Sequence, residues 1–169
     1  MNKYLLDVYN PFKVEFLYGK GSTLFDKKGN DYIDFTSGIG VSCLGHGNKK
    51  LVETISKQAK KFLHLSNIYP INTQEECAKK VAALSGYKNM QGFFCNSGAE
   101  ANETAIKFIR KYAKSKGIKK HNIITLENSF HGRTIATLNA TGQKDKQLGF
   151  EPFPNEFIYA KNLKKKKNK

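Results

Sequence analysis

Between residues 14 and 35 the chain consists of short apolar runs separated by polar turns. Two of these runs are Thr23–Asp26 and Tyr32–Phe35, and the segment between them, Lys27–Asp31, contains a glycine. Short apolar runs that flank a glycine-containing loop are typical of a β-hairpin. The pattern therefore predicts a small hairpin near the amino terminus, followed by a loop at Ser37–Gly40.

Farther along the chain, apolar residues recur every three or four positions, which predicts amphipathic helices. One helix is predicted over Lys49–Leu63. A second begins at Thr73–Glu76, which has the form of a capping box, and ends near Ser85–Gly86. A third spans about Ser97–Lys116, and Gly117 is its natural end. The residues of this third helix that we expect to be buried are Ala101, Ala105, Phe108, Ile109 and Tyr112.

Two apolar runs without helical spacing, Met90–Cys95 and Asn122–Leu126, predict buried strands. Arg133–Asn139 is predicted to be a short helix. Because helices and strands alternate through the middle of the chain, we expect a parallel sheet with right-handed crossover connections. In open sheets of this kind, ligands bind beyond the carboxyl ends of the strands. A distinctive turn follows each predicted strand, so we expect both turns to lie at that edge.

The turn after the first predicted strand contains Ser97–Glu100. In one interpretation it is a plain capping box, in which Ser97 caps the helix and Glu100 reaches back to it. In the other, the N–H groups of Gly98 and Ala99 also bind a phosphate, helped by about 1 kcal/mol from the positive end of the helix dipole. Capping boxes are common, so the residues alone favour the first interpretation.

The turn after the second predicted strand contains Phe130 and Arg133, with Gly132 between them. The aromatic ring could stack on a planar ligand, and the guanidinium could hold a carboxylate through two hydrogen bonds. The common alternatives are that Phe130 packs in the core and that Arg133 is an ordinary surface cation. His131 is expected to be an ordinary loop histidine. No metal site is predicted, because the other histidines lack metal-ligand spacing; they are His46, His64 and His121.

The composition is that of a globular protein with an excess of lysine. The 169 residues carry a formal net charge of +15, and 39% of them are hydrophobic. Only two of the 29 basic residues are arginine, which reads bases and phosphates through a two-point hydrogen bond that lysine cannot make. Six lysines are gathered in the last nine residues. These features favour a lysine-rich surface with a disordered basic tail over nucleic-acid binding.

Other features of the sequence predict a cytoplasmic location. No apolar run approaches the length of a membrane span, and the first residues lack the apolar core of a secretory signal. Cys43, Cys77 and Cys95 are odd in number and widely spaced, which predicts reduced thiols rather than disulfides or a zinc site. We expect neither a membrane nor a nucleic acid as a partner.

Several of these segments together resemble a known family. Phe94–Glu103 and Ser129–Thr134 closely resemble the subgroup III aminotransferases that use pyridoxal phosphate. Within that subgroup, the motifs are most similar to the members that act on acetylornithine in arginine biosynthesis. The resemblance extends from Met1 to about Ala160. Further matching motifs are Ser37–Val41, Leu44–His46, His64–Tyr69 and Thr141–Gln143.

The resemblance implies a fold and a domain organisation. The fold is α/β, namely the N-terminal part of the type I fold of pyridoxal-phosphate-dependent aminotransferases. It has a parallel-type sheet with crossover helices, plus a small N-terminal β-hairpin segment. Residues 1–45 would form the N-terminal segment with the hairpin. Residues 46–160 would be part of the large cofactor-binding domain, and residues 161–169 a lysine-rich disordered tail.

The resemblance also implies roles for individual residues. Gly98 and Ala99 would donate their N–H groups to the phosphate of pyridoxal 5′-phosphate. Phe130 would stack on the pyridine ring, and Arg133 would bind the α-carboxylate of the amino-acid substrate. Ser37–Gly40 would line the substrate side of the site.

The implied reaction transfers the amino group of acetylornithine to 2-oxoglutarate and gives N-acetylglutamate semialdehyde and glutamate. The complete enzyme would be a homodimer. Aminotransferases of ornithine, succinyldiaminopimelate or 4-aminobutyrate in the same subgroup are the alternatives. Ile39 favours the acetylated substrate, because ornithine aminotransferases tend to have a tyrosine at that position.

The chain also departs from the family. The family's Schiff-base lysine and the aspartate that pairs with the pyridine nitrogen have no counterpart in matching sequence context, so no catalytic residue is assigned. We therefore expect a truncated or frameshifted product that is inactive alone. The segment Gly45–Lys49 lacks the proline of the family motif, which removes local pre-organisation. A rival from another class is a non-enzymatic basic protein that binds anions or nucleic acid.

Overall fold

The computed structural model describes residues 4–87 and 89–161. The chain divides into two compact units, Met1–Ile71 and Asn72–Lys169. The boundary after Ile71 falls inside the region 46–160 that the sequence assigned to one domain, and that domain assignment stays a prediction. Apart from Lys161, the predicted basic tail lies outside the described residues.

The first unit contains the predicted hairpin within a three-stranded antiparallel sheet. Its strands are β1 (Phe16–Lys20), β2 (Thr23–Asp26) and β3 (Asp31–Ile33), in the order β1-β2-β3. The Asp26 carboxylate closes the β2–β3 loop, because it accepts hydrogen bonds from Lys28 N at 2.8 Å and Asn30 N at 2.9 Å. The sequence prediction of a hairpin is therefore confirmed.

The segment Ser37–Gly40, predicted to be a loop, forms a single left-handed turn that we label α1. Ser37 and Ile39 have φ values of 47° and 62°, a region that β-branched residues rarely adopt. The following helix, α2, spans Lys49–Ala59 and ends earlier than the predicted Leu63. The side chain of Asn48 caps it by accepting a hydrogen bond from Leu51 N at 3.0 Å. Asn48 thus stabilises the start of this helix.

The second unit contains the elements that carry the candidate site. Strands β4 (Ile123–Leu126) and β5 (Phe157–Ala160) are parallel, and Ile123 and Leu126 pair with Phe157 and Ala160. The sequence predicted β4 but missed β5. In chain order the elements are α3 (Asn72–Ser85), α4 (Gly98–Ser115), β4 (Ile123–Leu126), α5 (Ile135–Ala140), α6 (Lys144–Gln147) and β5 (Phe157–Ala160).

Two predictions of secondary structure in this unit are wrong. Met90–Cys95 does not form a strand, because no described strand pairs with it to complete a hydrogen-bonded ladder. The second helix begins at Asn72, so Thr73 lies inside it instead of capping it. Its predicted end near Ser85 is confirmed.

An ion-pair cluster anchors α4 to the sheet. Arg110 Nε donates to both carboxylate oxygens of Glu156, at 3.0 and 3.1 Å, and His121 Nε2 lies 3.3 Å from the same carboxylate. Glu156 immediately precedes β5, and its carbonyl accepts a hydrogen bond from Ile123 N at 2.7 Å. The cluster therefore fixes the position of α4 relative to the two strands.

The core of the second unit is small, and the prediction for the buried face of α4 is wrong. Phe108 and Tyr112 are 66% and 63% exposed, and Ala101, Ala105 and Ile109 are also exposed. An apolar helix face is buried only where another layer packs on it, and none of the described elements covers this one. Among the described residues, the buried apolar side chains are Ile106, Ala113, Leu138 and Ala140.

Three further observations concern the described residues as a whole. None of their helices is long and apolar enough to cross a membrane. The three cysteines are exposed and unpaired, which agrees with the prediction of free thiols. No three histidine, cysteine, aspartate or glutamate side chains in this part of the chain are grouped closely enough to bind a metal ion.

Candidate cofactor site

The amino terminus of α4 is capped by Ser97, as the sequence predicts. Ser97 has an extended backbone, and its hydroxyl accepts a hydrogen bond from Glu100 N at 3.1 Å. The other half of the predicted capping box is different. The Glu100 carboxylate accepts a hydrogen bond from Asn96 N at 2.6 Å and not from Ser97 N. The turn before the helix is thus held from both sides by polar side chains.

This cap leaves two backbone donors available at the helix terminus. The first N–H groups of a helix have no partner within it. Across residues 4–87 and 89–161, no acceptor contacts the N–H of Gly98 or Ala99. A side chain at Gly98 would meet nothing within 4 Å, so the space on that side of Gly98 is open. The terminus can therefore accept an anion such as a phosphate group.

The loop that contains Phe130 and Arg133 presents both side chains at the surface. The Phe130 ring is 63% exposed, and the central carbon of the Arg133 guanidinium lies 5.4 Å from the ring centroid. No carboxylate of the described chain forms an ion pair with Arg133. Arg133 therefore contacts the Phe130 ring but has no carboxylate partner among the described residues, and the exposed part of the ring remains accessible to a ligand.

Gly132 brings this loop against the first turn of α4. Its φ of 137° belongs to the region that side chains rarely allow. A Cβ at Gly132 would lie 2.8 Å from Ala99 Cβ and 2.5 Å from Thr137 Oγ1, so only glycine permits this close approach. The two turns predicted from the sequence, at Ser97–Glu100 and Phe130–Arg133, therefore lie side by side.

Polar side chains that the sequence analysis did not single out hold the loop in place. Asn102 on α4 donates from Nδ2 to the carbonyl of His131 at 2.7 Å, and His131 N donates to Thr141 Oγ1 at 3.0 Å. The hydroxyl of Thr134 also donates to the carboxylate of Glu103. The motif contains Asn102 and Glu103, but their partners lie about thirty residues away, and no sequence spacing reveals such contacts.

His131 occupies the position of a structural loop residue. Its Nδ1 lies 3.4 Å from Ser129 Oγ, and its backbone makes the two hydrogen bonds described above. These contacts agree with the expectation of an ordinary loop histidine. The segment Ser37–Gly40 belongs to the other unit, and its predicted place at the substrate side stays a prediction.

The residues present fit a phosphate monoester attached to a planar ring. The free N–H groups of Gly98 and Ala99 suit the phosphate, because they are two unpaired donors at the positive end of a helix. Phe130 offers a flat apolar face on the neighbouring loop. Arg133 adds a cation that could bind a carboxylate at two points.

Comparison with known proteins identifies close sequence relatives. The acetylornithine aminotransferase of Wolinella succinogenes is 53% identical over 163 residues, which are 95% of this chain and 41% of that protein. Those of Aquifex aeolicus and Methanocaldococcus jannaschii are 48% and 49% identical over 158 residues. These residues make up 94% and 93% of this chain, and 42% and 39% of the two relatives. The chain thus spans about two fifths of the length of these curated relatives.

Solved structures agree with the predicted fold class. The ornithine aminotransferase of Toxoplasma gondii, with PLP at partial occupancy in its active site, superimposes with a TM-score of 0.86 and 28% identity. The match covers 95% of this chain and 38% of that one. The omega transaminase of Pseudomonas jessenii, in complex with PMP, matches with a TM-score of 0.84 and 26% identity, over 94% of this chain and 37% of that chain. The predicted N-terminal part of a transaminase fold is confirmed.

The family description "Aminotransferase class-III" matches residues 7–169, which is nearly the whole chain. This match agrees with the relatives of about 50% identity and with the transaminase structures. It also confirms the resemblance carried by the motifs around Ser97–Glu100 and Phe130–Arg133. The chain therefore belongs to the class-III aminotransferases.

Proposed function

We propose that this chain supplies the phosphate-binding and carboxylate-binding part of a pyridoxal-phosphate-dependent aminotransferase. The observation that carries this proposal is the packing of Gly132 against Ala99, where a Cβ would come within 2.8 Å. This packing puts an aromatic ring and a free guanidinium beside a helix terminus with two unpaired N–H donors. The cofactor, when bound, supplies the electron-withdrawing ring on which transamination depends.

In this proposal each residue at the site has a distinct task. Gly98 and Ala99 bind the cofactor phosphate through their N–H groups. Phe130 covers one face of the pyridine ring and shields it from water, and Arg133 orients the substrate by holding its α-carboxylate. These assignments are supported by the open space at Gly98 and by the exposure of Phe130.

The proposed substrate pair is acetylornithine and 2-oxoglutarate, and the proposed pathway is arginine biosynthesis. Support comes from relatives of 45–53% identity that are acetylornithine aminotransferases. The structural match to an ornithine aminotransferase at 28% identity supports ornithine as the second candidate. Succinyldiaminopimelate and 4-aminobutyrate are further candidates within the subgroup. Activity is proposed for the complete enzyme, since no lysine of this chain matches the family's cofactor-binding context.

The proposed enzyme is a cytoplasmic homodimer. Three exposed, unpaired cysteines suit a reducing compartment. Dimerisation is supported by the uncovered apolar side chains of the second unit, such as Phe108 and Tyr112, because large exposed apolar faces mark surfaces that pack against other protein.

Replacing Gly98 tests the phosphate site directly. Gly98 is the first helical residue, where proline fits well, and the extended backbone of Ser97 is compatible with a following proline. Gly98→Pro therefore removes one N–H donor while it keeps the helix. Gly98→Ala is the matched control, because it keeps the donor and its Cβ points into open space.

We expect Gly98→Pro to weaken binding of pyridoxal 5′-phosphate about tenfold, which corresponds to one charge-assisted hydrogen bond. The measurement is a titration followed by amide chemical shifts at residues 97–101. Gly98→Ala should bind as the unmodified chain does. Equal affinity of the two variants would contradict the phosphate assignment.

The amine substrate can be ranked with a chimaera that joins residues 1–160 to the remaining part of the Wolinella succinogenes enzyme. We expect this chimaera to prefer acetylornithine over ornithine, succinyldiaminopimelate and 4-aminobutyrate, with 2-oxoglutarate as acceptor. The Wolinella enzyme itself is the reference for the activity assay. A preference for free ornithine would favour the second candidate.

A further inference from the structure

We infer that Asn102 is a positioning residue that holds the Phe130–Arg133 loop beside the helix terminus. This inference rests on the proposed function of that terminus and loop. Asn102 lies three residues after Ala99, so both side chains project from the same face of α4. One face of this helix therefore provides the packing contact for Gly132 and the hydrogen bond that fixes the loop.

The hydrogen bond from Asn102 acts on the peptide that follows His131. Its Nδ2 lies 2.7 Å from the His131 carbonyl oxygen, which makes it a short amide-to-carbonyl hydrogen bond. That carbonyl belongs to the peptide that leads into Gly132. Because a glycine has few backbone restrictions, this peptide needs an external partner to stay in one orientation.

A second side chain holds the peptide that precedes His131. His131 N donates to Thr141 Oγ1 at 3.0 Å, and Thr141 is completely buried. The same hydroxyl donates to the Thr137 carbonyl at 2.9 Å, so its orientation is fixed. Both peptides that flank His131 are thus held. Thr141, at the end of α5, holds the preceding peptide, and Asn102 on α4 holds the following one.

The Asn102 hydrogen bond links the peptide before Gly132 directly to α4, the helix of the phosphate site. Loss of the Asn102 bond would leave the loop attached through Thr141 and through the Thr134–Glu103 hydrogen bond. The peptide next to Gly132 would then be free to turn. Phe130 and Arg133 would lose their fixed distance from the N–H groups of Gly98 and Ala99.

Two substitutions separate the lost hydrogen bond from other effects. Asn102→Asp keeps the shape and removes the donor, whereas Asn102→Ala removes the donor without adding a charge. Ala101→Asp is the control for charge, because it adds a carboxylate at an exposed neighbouring position and leaves the Asn102 bond intact.

Amide hydrogen exchange of the full chain measures the position of the loop without any ligand. His131 N keeps its hydrogen bond to Thr141, so its exchange measures opening of the loop as a whole. Because the loop opens more easily without the Asn102 hydrogen bond, we expect this exchange to accelerate about tenfold in both Asn102 variants. Exchange at Ile123 N, which is bonded within the sheet at 2.7 Å, should not change. Unchanged exchange at His131, or equal acceleration at Ile123, would overturn the inference.

Ligand titration measures the consequence for the site. Inorganic phosphate needs only the helix terminus, so its affinity should stay within about twofold in Asn102→Ala. Pyridoxal 5′-phosphate needs terminus and loop together, and its affinity should fall about tenfold. Equal losses for both ligands would overturn the positioning role. If neither ligand binds the unmodified chain, the proposed function fails, while exchange at His131 still decides the role of Asn102 in the loop.

Discussion

Gly132→Ala tests whether the contact between the loop and α4 depends on a missing side chain. The added Cβ would lie 2.5 Å from Thr137 Oγ1 and 2.8 Å from Ala99 Cβ. Neither neighbour can give way easily. Thr137 is completely buried, and its hydroxyl is held by Thr134, whose N donates to it at 3.1 Å. Ala99 is part of the first turn of α4.

The expected cost has two parts. Overpacking of this kind costs about 1–3 kcal/mol, and a side chain at a φ of 137° adds roughly 1–3 kcal/mol of backbone strain. The sum of about 2–6 kcal/mol is a large part of the roughly 5–15 kcal/mol that stabilises a typical domain. We therefore expect Gly132→Ala either to unfold the second unit or to displace the loop from Ala99.

Urea unfolding followed by circular dichroism measures the loss of stability. Gly149→Ala is the matched control, because Gly149 has a φ of 83° but nothing lies within 4 Å of the added Cβ. The control should lose about 1 kcal/mol from strain alone. If Gly132→Ala loses no more stability than Gly149→Ala, the close approach to Ala99 is not a tight contact and the argument for adjacent turns is refuted.

Three further predictions follow from the caps and turns of the chain. The pKa of Asp34 is lowered from 3.8 to about 2, mainly by the hydrogen bond to His46 Nε2 at 2.7 Å. Asp34 therefore stabilises the fold above about pH 4, and this stabilisation is lost as the pH falls toward 2. The difference in unfolding free energy between the unmodified chain and Asp34→Asn should therefore shrink over this range, and a carboxyl pKa of 3.8 or more by NMR would contradict the expectation. Ser97→Ala should destabilise α4 by about 1 kcal/mol in urea unfolding, because Glu100 N loses its acceptor; an unchanged midpoint would contradict the cap. Ile39→Asn should stabilise the first unit by about 1 kcal/mol, because asparagine tolerates a left-handed backbone better than isoleucine and Ile39 is 95% exposed. A lower melting temperature of the variant would contradict backbone strain at Ile39.

Local sequence patterns predicted most of the elements, because their causes lie within a few residues. The β2–β3 hairpin follows from a glycine-containing loop that Asp26 closes. The start of α4 follows from Ser97, and Gly117, with a φ of 69°, lies just beyond its end. These features depend on hydrogen bonds between neighbours and on backbone freedom at single glycines.

The predictions that failed depend on partners far away in the chain. Met90–Cys95 has the apolar pattern of a strand, but a strand exists only where a neighbour pairs with it. β5 was missed, although Phe157–Ala160 is as long as β4, because only its pairing with β4 defines it as a strand. The helical spacing predicted the wrong buried face for α4, and Phe108 stays exposed because no described layer covers it.

The sequence by itself determined the family, the helix cap at Ser97 and the chemical groups of the candidate site. These follow from short motifs whose residue types are printed in the chain. Only the tertiary structure decided that the two turns meet, since Gly132 must contact Ala99 across more than thirty residues. It also revealed Asn102 as the link between them, through a hydrogen bond to His131. Such contacts arise from packing in three dimensions, and no local spacing along the chain encodes them.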